Sequence, residues 1–445
     1  MKLERIFCAL RTFWKWKMRN RPSLVYADAD GKIFDWPELE MAGRSGVEWR
    51  RLEPGDWTPL PPGSELFLLP GRLPVGYDPG KKRFKTLSND PYDSTRSVQA
   101  VAAFMAPAHT QIYSAAYESG PGAALLPLFA YTAVGWQNNR FVAAGIRVDP
   151  DERQDFRHFD PELIKRNAQR RMKREAENRL VQHLGKCAMT YGCPAARNLF
   201  MNRWEAPLPT SPVCNARCVG CISLQEKDDL CATQDRITFV PAPEEIGGIA
   251  VPHLKKAPRA VVSFGQGCEG EPLMQAPTLE SSIRLMRQSS TRGTINLNTN
   301  GSLPRQVDKL CVAGLDSIRV SLNSCRAQYY NAYFNPHGYS FEDIKRSIQT
   351  VKSHGKFASI NYFVLPGFTD EEDEWRELCR FIEETGLDLI QMRNLNIDPE
   401  WYLHMISFAP KSKILGIRKL MGRLKDRFPD LRFGYFNPCL DPGAF

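Results

Sequence analysis

From about Trp204 onward, short apolar or β-branched runs alternate with longer stretches whose apolar residues recur at helical spacing. With one further strand before Cys214, the alternation makes six strand-helix units. The predicted strands are Ala260 to Phe264, Thr294 to Leu297, Ser317 to Leu322, Ala358 to Leu365 and Leu387 to Met392, and the predicted helices are Pro277 to Gln288, Pro304 to Ala313, Phe341 to His354 and Asp370 to Thr385. This order predicts an α/β domain with a parallel sheet curled into a partial or full (β/α)6 barrel.

The first part of the chain has a different pattern, in which short strands are separated by turn residues. Leu24 to Asp28 and Ile33 to Trp36 flank a hairpin signal, and Phe129 to Trp136 and Phe141 to Val148 flank another, Asn138-Asn139. Prolines between the strands argue against long helices. We predict a mostly β module over residues 1–155, whose role the pattern leaves open between substrate shaping and docking.

A helix is predicted to start at Asp160-Pro161-Glu162 and to run to about Leu184, within a basic helical linker over 156–203. Apolar residues recur every four positions on one face of this helix, and Lys and Arg cover the rest. This pattern is typical of a solvated linker helix, and contact with nucleic acid is the minor alternative. The barrel domain is predicted over 204–400. A basic amphipathic helix, Lys411 to Arg427, and a strand, Arg432 to Asn437, are predicted to close it within 401–445.

Composition adds a location and a chemistry to this outline. The 445 residues carry a net charge of +9, which favours an anionic partner without identifying it. Met1 to Asn20 lacks the apolar core and cleavage site of a signal peptide, and no apolar run is long enough for a membrane helix. Twelve cysteines therefore indicate reduced, metal-binding thiols in a cytoplasmic, oxygen-sensitive protein rather than disulfides.

Three of these cysteines, Cys214, Cys218 and Cys221, have a C-x3-C-x2-C spacing directly after the first predicted barrel strand. Three thiolates at this spacing can hold an iron-sulfur cluster and leave one iron free for another ligand. The alternative is a structural zinc site completed by Cys231, although zinc sites usually combine two C-x2-C pairs and only one is present. The remaining cysteines form no C-x2-C pair, so spacing does not indicate a second cluster.

Polar residues follow the next three strands. Ser263 to Pro272 contains G-x-G-x-x-G, a pattern found in dinucleotide-binding turns, but Pro272 and Pro277 interrupt the helix start that such a turn requires. The other interpretation is that the glycines let the backbone approach a ligand closely, while the Glu271 carboxylate binds a cationic amino group. Cys268 in the same loop is predicted to face the ligand pocket, where a thiol could donate hydrogen. Leu297-Asn298-Thr299-Asn300-Gly301 and Ser321-Leu322-Asn323 end the following strands with the short polar side chains that a ribose or amino-acid head group requires.

These elements together resemble the radical S-adenosylmethionine (radical SAM) superfamily over Trp204 to Asn396, about half of the chain. The resemblance rests on the cysteine triplet, on Gly270-Glu271-Pro272 after the second strand, and on Thr299-Asn300-Gly301 after the third. No subfamily is recognised.

The resemblance implies a chemistry and a set of partners. Cys214, Cys218 and Cys221 would hold a [4Fe-4S] cluster, and one electron from a donor such as flavodoxin or ferredoxin would cleave S-adenosylmethionine into methionine and a 5′-deoxyadenosyl radical. That radical would abstract hydrogen from an unidentified substrate. The residues implied to bind S-adenosylmethionine are Gly270, Glu271, Asn300, Ser321, Asn323, Gln391 and Arg393, although Gln391 and Arg393 could equally contact the substrate.

Three functions are compatible with the sequence. The main hypothesis is a radical SAM enzyme that acts on an unidentified substrate. The second is a radical SAM enzyme that modifies nucleic acid or protein, and the third is a non-catalytic interaction protein in which the cysteines bind zinc or an iron-sulfur cluster.

Overall fold

The computed structural model describes residues 20–152, 155–225 and 230–441. Residues 1–19, which include Cys8, lie outside this range. Within it the strands are β1 Ser23–Asp28, β2 Ile33–Ser45, β3 Glu48–Arg51, β4 Thr58–Pro59, β5 Glu65–Leu69, β6 Arg72–Asp78, β7 Arg83–Thr86, β8 Val98–Phe104, β9 His109–Gln111, β10 Ser114–Ala115, β11 Tyr117–Ser119, β12 Val134–Gln137, β13 Arg140–Ala143, β14 Gly145–Arg147, β15 Glu205–Leu208, β16 Val261–Phe264, β17 Thr294–Thr299, β18 Ser317–Leu322, β19 Phe357–Val364, β20 Leu389–Asn394 and β21 Arg432–Gly434.

The helices of the same described residues are α1 Pro161–Arg174, α2 Arg179–Met189, α3 Pro194–Phe200, α4 Pro243–Lys256, α5 Ala276–Ser289, α6 Pro304–Ala313, α7 Ala327–Phe334, α8 Phe341–Ser353, α9 Glu372–Thr385, α10 Pro399–Met405 and α11 Ile417–Arg427. Two short 3₁₀ helices cover Phe156–His158 and Pro272–Gln275. None of the helices in this part of the chain combines the length and apolar character that crossing a bilayer requires.

One compact unit comprises the described part of Met1–Val148 together with Val364–Glu372 and Asn394–Met421. Its main sheet is antiparallel, which confirms the predicted β module. The β12–β13 hairpin forms where predicted, and Asn138 and Asn139 both have positive φ (51° and 59°), as the right-handed twist of a two-residue hairpin favours. A buried ion pair, Arg72 Nη2 to Asp398 Oδ2 at 2.7 Å, joins β6 to the start of α10.

The second unit comprises Asp149–Phe363, Asp373–Arg393 and the described part of Gly422–Phe445. Its sheet has the order β15-β16-β17-β18-β19-β20-β21, with parallel pairing from β15 to β19 and from β20 to β21. The outer faces of the strands are apolar, and Leu297, Ile318 and Val320 are buried completely beneath the surrounding helices. The predicted α/β fold is therefore confirmed as a curled, partial barrel, with β21 as a seventh strand.

The linker helix is shorter than the sequence predicted. Its helical stretch ends at Arg174, and α2 begins at Arg179, because Asn178 takes an extended backbone conformation and its side chain caps Val181 N–H at 3.1 Å. The chain folds back tightly there, since a Cβ atom on Gly185 would lie 2.2 Å from Met172 Sδ. The predicted helix from Lys411 likewise begins only at Ile417. The division at 155, 203 and 400 stays a prediction.

Candidate iron-sulfur and cosubstrate site

The cysteine loop lies where the sequence placed it, at the carboxyl end of β15. Its backbone is fixed by the end of α7 and the residues that follow. Arg217 N–H donates to Phe334 O at 3.0 Å, Val219 N–H donates to Tyr333 O at 2.9 Å, and His337 N–H donates to Asn215 O at 2.9 Å. Because these are backbone bonds, the loop that carries the thiols is held in one shape before any ligand binds.

The three thiols have different electrostatic surroundings. Burial, and then the nearby Glu271 carboxylate, raise the pKa of Cys214 to about 11. Burial and the neighbouring Cys221 and Cys214 also raise the pKa of Cys218. These two groups keep their protons at neutral pH when no metal is bound. A metal would have to displace both protons, which makes its affinity rise with pH.

Cys221 differs from the other two because a cation lies beside its sulfur. Arg236 Nη2 is 3.3 Å from Cys221 Sγ, and Arg236 Nε donates to Ser223 Oγ at 3.2 Å. A guanidinium at this distance stabilises negative charge on the sulfur of a thiolate or of a thiolate bound to metal. Sequence reasoning missed Arg236, since no motif links it to a cysteine fifteen positions earlier.

The loop after β16 is fastened to the residues just before the triplet. Gly270 N–H donates to Ser211 O at 2.7 Å, and Glu271 N–H donates to Val213 O at 2.8 Å. A Cβ atom on Gly270 would lie 2.1 Å from Val213 O, so only glycine permits this approach. The loop continues into a 3₁₀ helix rather than the α-helix of a dinucleotide turn.

Glu271 is buried and reaches across to the end of β17. Its Oε2 accepts from Asn300 N–H at 2.8 Å, and its Oε1 accepts from Leu273 N–H at 3.0 Å and from the Thr299 hydroxyl. Burial raises its pKa to about 7, against the effect of these donors. The hydrogen bonds thus fix the position of the carboxylate. Because a nearby positive charge favours the ionised form of a buried carboxylate, this site suits a partner that carries positive charge.

Asn300 completes a bridge between β17 and the cysteine loop. Its Nδ2 donates to Asn215 Oδ1 at 2.8 Å, and Asn215 Nδ2 donates to Ser302 Oγ at 3.0 Å. The structure thereby brings Gly270, Glu271 and Asn300 together with the triplet. Asn215 was missed by sequence reasoning, although its place between two of the cysteines was a signal.

Glu269 was also missed, although it lies inside the glycine-rich motif. Its buried carboxylate accepts three backbone N–H groups, from Thr210, Ser211 and Gln266, at 2.7 to 2.9 Å. These bonds attach the loop after β16 to the end of β15. Glu269 therefore positions the loop rather than a ligand.

The other predicted residues lie on β18 and β20. Ser321 is half-buried on β18, and Asn323 just beyond it is buried and donates to Tyr329 O at 3.0 Å. Gln391 is buried and forms two side-chain hydrogen bonds: its Nε2 donates to Asn437 Oδ1 at 2.9 Å, and its Oε1 accepts from Arg319 Nη1 at 3.2 Å.

Arg393 and Arg319 bring positive charge into the barrel interior. The Arg393 guanidinium stacks on Tyr435, 4.0 Å from the ring centre. Burial, and then Arg393, lower the pKa of Arg319 to about 9. The Nε atoms of both side chains are enclosed and have no hydrogen-bond partner among the described residues. Two such cations can bind an anionic group. Sequence reasoning did not identify Arg319, because its place on a strand was its one distinguishing feature.

The donor set fits a cluster better than a single ion. Among the described residues, the triplet thiols and Cys231 do not form a set of ligand atoms within 4.8 Å of one another, as the ligands of one zinc would. Three thiols on one rigid loop, with a separate carboxylate beside them, match a cluster that has three protein ligands. The residues present therefore fit a [4Fe-4S] cluster.

The comparisons with known proteins agree with this geometry. Residues 208–381 match the family model of the Radical SAM superfamily, so the chain carries a radical SAM domain. GTP 3′,8-cyclase of Chlorobaculum tepidum is 23% identical over 226 residues, 50% of this chain and 62% of that protein. The FeMo cofactor biosynthesis protein NifB of Klebsiella pneumoniae is 26% identical over 179 residues, 37% of each protein. The chain spans less than two thirds of the length of these relatives.

Two solved structures overlap with part of this chain. Streptococcus suis SuiB bound to S-adenosylmethionine has a TM-score of 0.38 at 15% identity, covering 60% of this chain and 61% of that one. Methylornithine synthase has a TM-score of 0.36 at 14% identity, covering 55% of this chain and 68% of that one.

Proposed function

We propose that this chain is a radical SAM enzyme in which Cys214, Cys218 and Cys221 hold a [4Fe-4S] cluster. When bound, the cluster would supply the electron that converts S-adenosylmethionine into methionine and a 5′-deoxyadenosyl radical, which abstracts hydrogen from the substrate. The observation that carries this proposal is the backbone bond from Glu271 to Val213. It places a buried carboxylate beside the loop that carries the three thiols.

The residues around the triplet would each bind a different part of S-adenosylmethionine. Glu271 and Gly270 would receive the methionyl amino group, because a buried carboxylate favours a cationic partner. Asn300 would bind the ribose or the carboxylate, together with Ser321 or Asn323. Gln391 would position Arg319 through their hydrogen bond rather than contact the adenine directly.

Arg319 and Arg393 would bind a carboxylate, either that of S-adenosylmethionine or that of the substrate. Their enclosed Nε groups support this assignment, since a buried donor without a partner carries a desolvation cost that an anion would remove. This favours a small anionic substrate over nucleic acid or protein, and the names of the two curated relatives, GTP 3′,8-cyclase and FeMo cofactor biosynthesis protein, point the same way.

A flavodoxin or ferredoxin would supply the electron, in a cytoplasmic and oxygen-sensitive protein. The β module over 1–155 and the linker over 156–203 would shape or dock the substrate of the barrel over 204–400, and residues 401–445 would close it.

Anaerobic reconstitution tests the function directly. We expect about four irons per chain and, after reduction, cleavage of S-adenosylmethionine to 5′-deoxyadenosine. Cys218→Ala should lose both, whereas Cys379→Ala, which removes a buried thiol on α9, should keep both. A colourless zinc protein without cleavage activity would overturn the proposal in favour of a non-catalytic metal-binding protein, and a full cluster in Cys218→Ala would show that the ligands lie elsewhere.

A further inference from the structure

Three further side chains capable of binding metal meet between α2 and the loop that carries Glu271. The ligand atoms of His183, Cys187 and Cys268 all lie within 4.8 Å of one another, which is the only such group among the described residues. His183 and Cys187 are one turn apart on α2, so both point from the same helical face. Cys268 comes from the loop after β16, more than eighty residues later in the chain.

The spacing of these atoms suits one tetrahedral ion. His183 Nε2 lies 3.5 Å from Cys187 Sγ, close to the separation of two ligands on the same zinc when each bond is about 2.0 to 2.3 Å long. Cys187 and Cys268 are almost completely buried, while His183 is half-buried. The two sulfurs are therefore shielded from water, whereas the imidazole keeps some contact with solvent.

Cys187 forms hydrogen bonds with both of the other side chains, His183 and Cys268. A metal ion between the three groups would replace these bonds with contacts to two thiolates and one imidazole nitrogen, because thiolate is the form of cysteine that binds metal.

We propose that His183, Cys187 and Cys268 bind a single divalent ion of the zinc class, with the fourth coordination position left to a solvent molecule. Thiolate sulfur and imidazole nitrogen are ligands that favour zinc over divalent ions such as magnesium and calcium, which prefer oxygen ligands. This site shares no residue with Cys214, Cys218 and Cys221, so it does not depend on the proposed function.

The ion would link the α2 helix to the loop that positions Glu271. Cys268 lies three residues before Glu271, and its carbonyl oxygen accepts from Ile237 N–H at 2.8 Å. Fixing its side chain to α2 would leave this loop anchored at both the backbone and the side chain. The site is therefore structural in its effect, although its fourth position is open.

A cobalt titration tests the proposal. In the full-length chain carrying Cys214→Ala, Cys218→Ala and Cys221→Ala, Co²⁺ should produce a thiolate-to-cobalt absorption band that saturates at about one ion per chain. Zn²⁺ should abolish the band by displacing Co²⁺. Adding Cys187→Ser or Cys268→Ser should remove the band, whereas Cys311→Ser, at a buried thiol on α6, should leave it unchanged.

Two further measurements cover the case in which a buried substitution prevents folding. His183→Gln changes only a half-buried side chain, and we expect it to lower the affinity for Co²⁺ at least tenfold. In the unsubstituted chain, Zn²⁺ should protect Cys187 and Cys268 from alkylation, as read by mass spectrometry of their peptides. The proposal is overturned if no cobalt-thiolate band forms, if the band survives Cys187→Ser, or if the two cysteines are recovered as a disulfide without bound metal.

Discussion

Arg236 Nη2 lies 3.3 Å from Cys221 Sγ, so the guanidinium of Arg236 lies against the sulfur of this cysteine. Hydrogen bonds to the sulfurs and the net charge around them are two of the properties that set the reduction potential of an iron-sulfur cluster. Arg236 should therefore influence how easily a cluster on this loop accepts an electron.

Replacing Arg236 by Gln should lower the midpoint potential of the reconstituted cluster by tens of millivolts. Loss of a nearby positive charge disfavours the more negative reduced state, and about 1 kcal/mol of lost attraction corresponds to about 40 mV for one electron. A redox titration followed by electron paramagnetic resonance measures the potential. Arg236→Lys, which keeps the charge, should shift it less, and Arg284→Gln, at an exposed position of α5, should not shift it. An unchanged potential in Arg236→Gln would contradict this role.

Gly270→Ala should strongly reduce iron incorporation. A methyl group at this position would lie 2.1 Å from Val213 O, and because that atom belongs to the backbone the residues before Cys214 would have to move. Iron content after anaerobic reconstitution measures the effect. The matched control is Gly422→Ala on α11, where an added Cβ has no atom within 4 Å; there we expect full iron content and a gain of up to about 1 kcal/mol in stability. Normal iron content in Gly270→Ala would show that the loop is adaptable.

These sites show which contacts a sequence can reveal. The cysteine triplet, the Gly-Glu-Pro loop and the alternation of strands and helices are local patterns, so their positions could be predicted closely. Arg236 beside Cys221, and Gln391 between Arg319 and Asn437, depend on which distant segments fold together, and no spacing rule encodes that. The same reason hid the meeting of Cys187 with Cys268, although both cysteines were visible.

Local patterns also misled where a tertiary contact decided the outcome. The apolar spacing from Ile164 to Leu184 is compatible with one continuous helix, and nothing in it distinguishes that helix from two shorter ones. The break is decided by Asn178, whose side chain caps α2 and donates to Glu245 O at 3.0 Å in α4. A capping residue within a helical pattern was the available signal.

His253 should make the protein less stable in mild acid. Burial lowers its pKa to about 4, from an unfolded value near 6.5, while its Nε2 stays 2.8 Å from Trp204 O. The unfolded chain therefore binds the proton more readily, and stability present above about pH 6.5 is lost as the pH falls toward 4, by about 3 kcal/mol in all. Urea unfolding of the metal-free chain at pH 7, 6 and 5 measures this loss. His253→Phe should reduce the pH dependence, and His404→Phe, at an exposed site, should not.

The ion pair between Arg72 and Asp398 should be essential for the stability of the antiparallel unit. Both side chains are almost completely buried, at 3% and 2% exposure, and Asp398 Oδ2 also accepts from Leu126 N–H at 3.2 Å. Arg72→Met leaves a buried carboxylate without its cation, which typically costs about 3 to 5 kcal/mol. The shift of the urea unfolding midpoint, followed by a probe in this unit, measures the loss.

A double substitution separates the pair from the packing of each side chain. Arg72→Met with Asp398→Asn removes both charges, so it should destabilise the unit by clearly less than the sum of the two single changes. The comparison pair is Arg376 with Asp373, whose side chains are 57% and 37% exposed, and Arg376→Met should cost less than about 1 kcal/mol. Strict additivity at Arg72 and Asp398 would mean that each side chain contributes through its own packing and backbone contacts, and that the buried charges do not depend on each other.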